Sequence, residues 1–464
     1  MEQHLIAQYG DPSARVFGVL ALLVSCAALG RLGASKLKQS PVLGELAIGI
    51  IVGALFYHLG NPAVVIIRHS ETVQLMADSV RGDCEERAAS LESPLGQPAL
   101  ATLSPDAARR VEQVLRRKDF PAYLLLARSI QLFAGFGIVM LLFMVGLEVS
   151  LKELRAIGAE ASAVASTGVG LTFCLVFFTT LLLLPKNNLL PSLFAGAALC
   201  ATSIGISARI FKDMKRIAMK ESRIVLGAAV LDDVLGLIAL AVVTTLAVHG
   251  SVGAWSLFAV LLKTAFFLTA VVIFGARFNE RTVKFLARLD LGNIKLLYPF
   301  ALLMLLAWLA DTMGLAAVIG AFAAGVIIKE ESFHGVGPGL DSEQSVESIH
   351  ASLEGILAPV FFVLIGMQMD IAALANLKVL LIGFLLTAAA VAGKLCSAIP
   401  VRGESDRLII GIGMLPRVEV ALIVASMGKS LGLLDDALYS VIILVVLLTV
   451  LMTPPLLKWA IERK

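Results

Sequence analysis

Two adjacent carboxylates, Asp232 and Asp233, lie near the middle of an apolar stretch that runs from residue 222 to residue 248. A stretch of this length exceeds the roughly 20 helical residues that cross a bilayer core. A carboxylate at the centre of a membrane helix costs about 2.5–3.5 kcal/mol on insertion scales, so such residues are usually functional. The pair therefore predicts a buried ion-binding site. A purely structural carboxylate pair is the alternative.

The chemistry that such a pair supports is exchange of a cation for a proton. A carboxylate that is out of water and beside a second carboxylate holds a proton more tightly. A small hard cation such as Na+ prefers oxygen ligands, which carboxylates supply. Asp233 and Asp232 are thus predicted to bind Na+ or H+ in competition. This is transport and not enzyme catalysis, and no cofactor or nucleic-acid partner is expected.

Two other apolar stretches carry signs of interrupted helices. Thr202 and Ser203 place two hydroxyl groups in the middle of one stretch, and Gly413 and Pro416 interrupt the other. Proline removes a backbone donor and crowds the preceding turn. Interrupted helices at matching positions expose helix ends and carbonyl groups, which point to a transporter site. Both stretches are expected to line the ion site.

Three charged residues near these stretches have open roles. Lys394 lies close to the end of its span. It either snorkels to the membrane surface or faces the interior, where it could pair with an aspartate. Arg417 and Glu419 follow the second interruption. They would point apart on a regular helix, but a broken helix would allow them to form an ion pair.

The elements that position these residues are predicted membrane helices. The chain has 464 residues, of which 58% are hydrophobic and 16% charged. This composition is typical of a polytopic membrane protein, and the five scattered cysteines favour neither disulfides nor a zinc site. Thirteen spans are predicted, at residues 14–35, 41–59, 127–149, 156–184, 190–210, 222–248, 254–275, 295–313, 315–329, 352–370, 375–398, 405–429 and 435–458.

Charges in the short loops predict the orientation. Loops rich in Lys and Arg alternate with loops that nearly lack both, and Lys186 and Lys429 are the exceptions on the poor side. The positive-inside rule then places the N-terminus outside and the C-terminus in the cytoplasm. The expected location is the inner (plasma) membrane of the cell.

The spans contain an inverted repeat. Residues 42–52 resemble residues 318–328, and residues 141–151 resemble residues 361–371. Span 2 runs outward and span 9 inward, which is a transporter signature. Chance similarity between glycine-rich helices is the alternative. The aligned glycines are Gly44 and Gly49 with Gly320 and Gly325, and Gly146 with Gly366.

Residues 60–126 form a polar insertion that is predicted to be external. Within it, Ser104-Pro105-Asp106 predicts the start of a capped helix. The insertion is either a solvated loop with one short helix or a lid over the transporter.

Four motifs in order, ATSIGISARIF, GAAVLDDVLGLI, AGKLCSA and GMLPRVEVALIVA, resemble the NapA-like bacterial sodium/proton antiporters of the second cation:proton antiporter family. The resemblance covers nearly the whole chain apart from the insertion. It implies an all-α fold of the NhaA/NapA type, with two crossing discontinuous helices, in a homodimer that works by an elevator movement. Residues 1–155 and 254–370 would mainly form dimerisation helices. Residues 156–248 and 375–464 would form the ion-translocating core.

The resemblance also implies residue roles and a substrate. Asp233 matches the ion-binding carboxylate, and Asp232 matches the carboxylate that pairs with a lysine, here Lys394. Exchange of Na+, and of Li+ as a further substrate, for H+ is expected. Asp232, Asp233 and Lys394 together would allow two protons to move for each Na+, and hence net charge movement. Alternatives are K+/H+ exchange or K+ efflux in the same family and, from other classes, a cation channel or a non-transporting sensor. Val418 stands where the family motif has glycine.

Overall fold

The structure is a computed structural model. It describes residues 12–37, 41–70, 105–148, 158–184, 189–203, 219–249, 294–313, 317–328, 345–402 and 405–463, together with short pieces between these ranges. The secondary structure of these residues is helical, without strands.

Sixteen helices follow one another along the described residues. They are α1 (Pro12–Lys36), α2 (Pro41–His58), α3 (Pro62–Arg68), α4 (Pro105–Leu115), α5 (Phe120–Glu148), α6 (Ala159–Leu183), α7 (Leu189–Cys200), α8 (Lys220–His249), α9 (Ile294–Thr312), α10 (Ala317–Ile327), α11 (Val346–Gln368), α12 (Ile371–Leu374), α13 (Leu377–Cys396), α14 (Arg407–Gly413), α15 (Glu419–Ser430) and α16 (Asp436–Glu462).

The predicted all-α polytopic architecture is confirmed. In the part of the chain that the structure describes, nine helices are long and apolar enough to cross a membrane. Three shorter apolar helices, α7, α10 and most of α15, overlap predicted spans 5, 9 and 12. Helix α7 covers only the first part of span 5, and span 12 is divided between α14 and α15. Most of predicted span 254–275 lies outside the described residues.

The described part of the insertion holds more helix than the sequence predicted. Helix α5 already begins at Phe120, inside the stretch 60–126. All seven residues of α3 are buried. The first six are apolar and begin with proline, which suits the first helical position. The seventh, Arg68, donates to the carbonyls of Met367 and Met369. The Asn61 side chain caps this helix by accepting from the amides of Ala63 and Val64. The predicted helix after Ser104 corresponds to α4.

The chain divides into two compact units. The first comprises Met1–Gly137, Ile356–Leu374 and Lys429–Ser440. In it α1 packs on α2, and α3 packs on α2 and α4. Helix α4 buries its apolar face, including Val111 and Leu115, and Arg110 on the same helix donates to the carbonyl of Tyr57 at 2.8 Å.

The second unit comprises Ile138–Gly355, Ala375–Gly428 and Val441–Lys464, and it contains every predicted site residue. Here α6 packs on α7, α8 and α13, while α14 packs on α8 and α13. We call α6, α7, α8, α13, α14 and α15 the site bundle. The division of the chain into dimerisation and core helices remains a prediction.

The repeat predicted from the glycines is visible in two helix crossings, one in each unit. In the first unit α2 crosses α11, where a side chain at Gly49 would collide with the backbone of Val363. In the second unit α5 crosses α10, where a side chain at Gly146 would collide with the backbone of Phe322. The glycines Gly366 and Gly325 face these contacts from the partner helices. Aligned residues of the two halves thus make equivalent crossings.

Candidate ion-binding site

Two helix interruptions meet in the site bundle. Helix α7 ends at Cys200 and is followed by three non-helical residues. Helix α14 ends at Gly413, and the chain from residue 415 to residue 418 is non-helical before α15 begins. Pro416 explains the second break, because it lacks an N–H group and disfavours a helical conformation at Leu415.

The two interruptions bind each other through hydrogen bonds. The amide of Ser203 donates to the carbonyl of Pro416 at 2.8 Å. The Thr202 hydroxyl donates to the carbonyl of Met414 at 2.9 Å, and the Ser207 hydroxyl donates to that of Gly413 at 2.7 Å. The last carbonyls of a helix have no partner within it, so the Thr202 and Ser207 hydroxyls satisfy the end of α14, at Met414 and Gly413. Ser207 was not among the predicted site residues.

Lys394 on α13 contacts Asp232 on α8. Its Nζ lies 2.7 Å from Asp232 Oδ2, and both side chains are 0% exposed. The snorkelling placement of Lys394 is therefore wrong. The reason lies in helix packing: Gly393 meets the backbone of Thr172, and Gly168 faces Ser397 and the Lys394 side chain, so that α6 lies close against α13. This contact encloses the ammonium group.

Three oxygens of the site bundle remain without a hydrogen-bond partner among the described residues. They are Asp232 Oδ1, Ser203 Oγ and Thr172 Oγ1, and all are buried. Buried polar groups are normally hydrogen-bonded, so three open oxygens in one bundle are unusual. Asp233, the next residue on α8, is also buried, with 5% exposure. The bundle thus contains two buried carboxylates, of which Asp232 has one oxygen without a hydrogen-bond partner, and two hydroxyl oxygens that also lack one. Oxygen groups of this kind are the ligands that a hard cation prefers.

Arg417, in the second interruption, is fully buried and donates to three carbonyls. Nε contacts Leu199 O at 2.6 Å, Nη1 contacts Leu415 O at 2.9 Å, and Nη2 contacts Ala390 O at 2.8 Å. The side chain of Glu419 lies outside the described part, so its pairing with Arg417 remains a prediction. Val418, at the position of the motif glycine, is buried.

Comparison with known proteins gives the family. The model of the family described as "Sodium/hydrogen exchanger, transmembrane" matches residues 19–462. The High-affinity Na(+)/H(+) antiporter NhaS3 of Synechocystis is 32% identical over 96% of this chain and 90% of its own length. The Na(+)/H(+)-K(+) antiporter GerN of Bacillus cereus is 33% identical over 71% of this chain and 83% of its own length.

A solved structure supports the fold. The sodium proton antiporter MjNhaP1 from Methanocaldococcus jannaschii, at pH 8, matches with a TM-score of 0.61 and 15% identity, over 97% of this chain and 99% of that one. The predicted antiporter fold is confirmed. This chain belongs to the sodium/hydrogen exchanger family, and it is a multi-pass membrane antiporter and not an enzyme.

Proposed function

We propose that this protein exchanges Na+ for H+ across a plasma membrane, with Asp233 and Asp232 as the shared binding groups. The observation that carries the proposal is the buried Lys394–Asp232 pair, whose second carboxylate oxygen has no hydrogen-bond partner among the described residues. A pair with one open oxygen can accept a cation without first breaking another hydrogen bond. The neighbouring Asp233 supplies the second carboxylate.

Competition for these carboxylates couples the two ions. In the proton-loaded state Asp233 carries a proton and Lys394 neutralises Asp232. Na+ then displaces the proton and draws Asp232 towards itself, with the hydroxyls of Thr202 and Ser203 and the carbonyl-rich turns at Gly413 and Pro416 lining the site. A buried ammonium that loses its carboxylate partner also gives up its proton. Two protons then move for each Na+, and the exchange carries net charge.

An elevator movement fits the bonding of the two interruptions. The hydrogen bonds from Thr202, Ser203 and Ser207 join the broken helices to each other, which favours their moving as one body. In this proposal residues 156–248 and 375–464 move, and residues 1–155 and 254–370 hold a homodimer in the bilayer. The N-terminus lies outside and the C-terminus in the cytoplasm, as the loop charges indicate. Sodium extrusion of this kind serves pH homeostasis.

Potassium is the second candidate substrate. The relative GerN is named as a Na(+)/H(+)-K(+) antiporter, and it is 33% identical to this chain. Carboxylate and hydroxyl ligands alone do not separate Na+, Li+ and K+, because all three accept oxygen ligands.

The test is proton movement in proteoliposomes after addition of Na+, Li+ or K+. We expect Na+ to drive proton flux in the wild type, and Asp233→Asn to abolish it. Asp311→Asn is the matched control, since Asp311 is exposed at the end of α9. A response to K+ alone would show K+/H+ exchange in place of Na+/H+ exchange. No response to any cation would refute the antiport proposal. Equal rates with and without a clamped potential would refute net charge movement.

A further inference from the structure

Arg417 donates a hydrogen bond to the turn of α13 that carries Lys394. Its Nη2 donates to the carbonyl of Ala390, which lies four residues before Lys394. In an α-helix that carbonyl also accepts the N–H of the residue four positions on, which here is Lys394. One carbonyl therefore links the guanidinium of Arg417 to the backbone of the lysine, so the position of the lysine depends on Arg417.

The same guanidinium occupies the carboxyl end of α7. Leu199 O belongs to the last turn of this helix, where unpaired carbonyls and the helix dipole create partial negative charge. Such an end attracts cations. Arg417 already fills this position, so the carbonyl of Leu199 is engaged by a positive charge that belongs to the protein itself.

The geometry requires an arginine. A guanidinium carries five N–H donors in a planar fork, whereas an ammonium is a point charge on a flexible chain. The three carbonyls bound by Arg417 belong to α7, to the segment after α14 and to α13. The titratable groups that interact electrostatically with Arg417 are Asp232, Lys394 and Cys200. Arg417 thus stands beside the ion pair without donating to its carboxylate in any described contact.

We propose that Arg417 is a positioning residue for the exchange reaction. It holds the two interruptions and the Lys394 turn in one arrangement, and in this way it sets how readily the Lys394–Asp232 pair opens to a cation. The proposal deepens the Na+/H+ function and rests on it. It assigns Arg417 neither a ligand role nor an obligatory ion pair.

The experiment compares Arg417→Lys and Arg417→Gln with the wild type in two assays. The first measures the apparent KM for the driving cation across a pH series in proteoliposomes. The second measures the melting temperature against pH in detergent without cation, which needs no transport. We expect both variants to raise the apparent KM about tenfold and to shift the pH midpoint of exchange, because neither side chain can bind three carbonyls. We also expect a loss of melting temperature that changes with pH.

Arg407→Lys is the matched control. Arg407 also donates from Nε and Nη2 to a carbonyl, that of Val401, but at the start of α14. We expect it to leave both pH profiles unchanged. A lowered melting temperature of equal size at every pH, with wild-type KM and pH midpoint, would show a merely structural role and overturn the proposal. Wild-type behaviour of Arg417→Lys would show that charge alone suffices and would also overturn it.

The two assays separate this proposal from the proposed function. If wild-type protein moves no protons with any cation, the antiport function fails. The melting profiles still decide whether Arg417 controls the Lys394–Asp232 pair, since they depend on protonation and not on flux.

Discussion

Among the described residues, two largely buried lysine–aspartate pairs have surroundings that differ. In the first unit Lys429 contacts Asp436 Oδ1 at 3.0 Å, and His69 lies 3.4 Å from Asp436 Oδ2. Lys429 also donates to the carbonyl of Gln368 and lies over the ring of Tyr439. Both oxygens of this aspartate are thus engaged. In the second unit Asp232 uses one oxygen for Lys394, and the other has no hydrogen-bond partner among the described residues.

This difference suggests different roles: Lys429–Asp436 connects helix ends, and Lys394–Asp232 is the pair that the proposed function assigns to ion exchange. Lys429 and Asp436 flank the connection between α15 and α16, where Asp436 keeps 24% exposure. Their extra partners come from α11 and from the residue after α3, so the contacts tie the ends of several helices together. Lys394 and Asp232 lie within helices and are 0% exposed. The first pair has both aspartate oxygens engaged, which suits a structural role. The second pair keeps one oxygen open, which the proposed binding of a transported cation requires.

Removal of the lysine should separate the two pairs most clearly in transport. We expect Lys394→Met to lower Na+-driven proton flux about tenfold or more and to abolish its response to membrane potential, because it removes a titrating group from the site. Lys429→Met should retain most of the flux per folded molecule. The measurement is initial rates in proteoliposomes with equal amounts of protein. Equal loss of flux in both variants would remove the distinction between the pairs.

In the first unit, removal of the lysine should lower stability more than it lowers transport. We expect Lys429→Met to lower the free energy of unfolding by about 1–3 kcal/mol, because Asp436 and the Gln368 carbonyl lose a partner. Thermal unfolding in detergent measures this change. Lys378→Met, at an exposed position on α13, is the control and should change little. The double variant Lys429→Met/Asp436→Leu should recover part of the loss, and no recovery would contradict the assignment of the loss to the ion pair.

A smaller loss of stability should follow when one hydrogen bond between the two helix interruptions is removed. Thr202→Val removes the hydroxyl that donates to the carbonyl of Met414 and keeps the side-chain shape. We expect a loss of about 1 kcal/mol in stability, since one buried carbonyl loses its donor. Thr202→Ser retains the donor and should stay near the wild type. Unfolding temperatures of the two variants, measured side by side, decide whether the hydroxyl or the methyl group matters.

The exposed ion pair of Arg117 and Asp119 is expected to contribute less to the free energy of unfolding than the buried pairs do. The hydrogen bonds from Arg117 hold the pKa of Asp119 below its usual range. A lowered folded-state pKa gives stability that is present above the unfolded pKa and is lost as the pH falls through the folded one. Arg117→Gln should therefore cost under about 1 kcal/mol at pH 7, and the cost should vanish in acid. Unfolding curves at pH 7 and in acid test the sign, and a cost that grows in acid would contradict it.

The sequence singled out the two carboxylates, whose role as ion ligands stays a prediction, and it left their partners open. Asp232 and Asp233 stand out because they interrupt a long apolar run. The position of Lys394 could not be decided, since its contact with Asp232 joins residues 162 positions apart and depends on the packing of α6 on α13. The carbonyl partners of Arg417 carry no sequence signature, because every residue has a carbonyl group.

The cluster in the first unit was missed. Its members come from three distant parts of the chain, and each lies near the end of a helix, where a charged residue attracts no notice. The available signal was that Lys429 departs from the positive-inside pattern. A lysine on the side of the membrane whose loops have few Lys and Arg residues indicates a specific contact, and here that contact is the ion pair with Asp436.

The repeat has a consequence for the direction of transport. In a carrier made of two identical inverted halves, a two-fold rotation about an axis in the membrane plane would convert the inward-open state into the outward-open state, and the two states would have similar free energies. The glycine crossings of α2 with α11 and α5 with α10 keep that symmetry. The interruptions do not, because one half supplies the hydroxyls of Thr202 and Ser203 and the other supplies Pro416 and Arg417. Under the proposed alternating access, symmetry would therefore not require the two states to be equally populated.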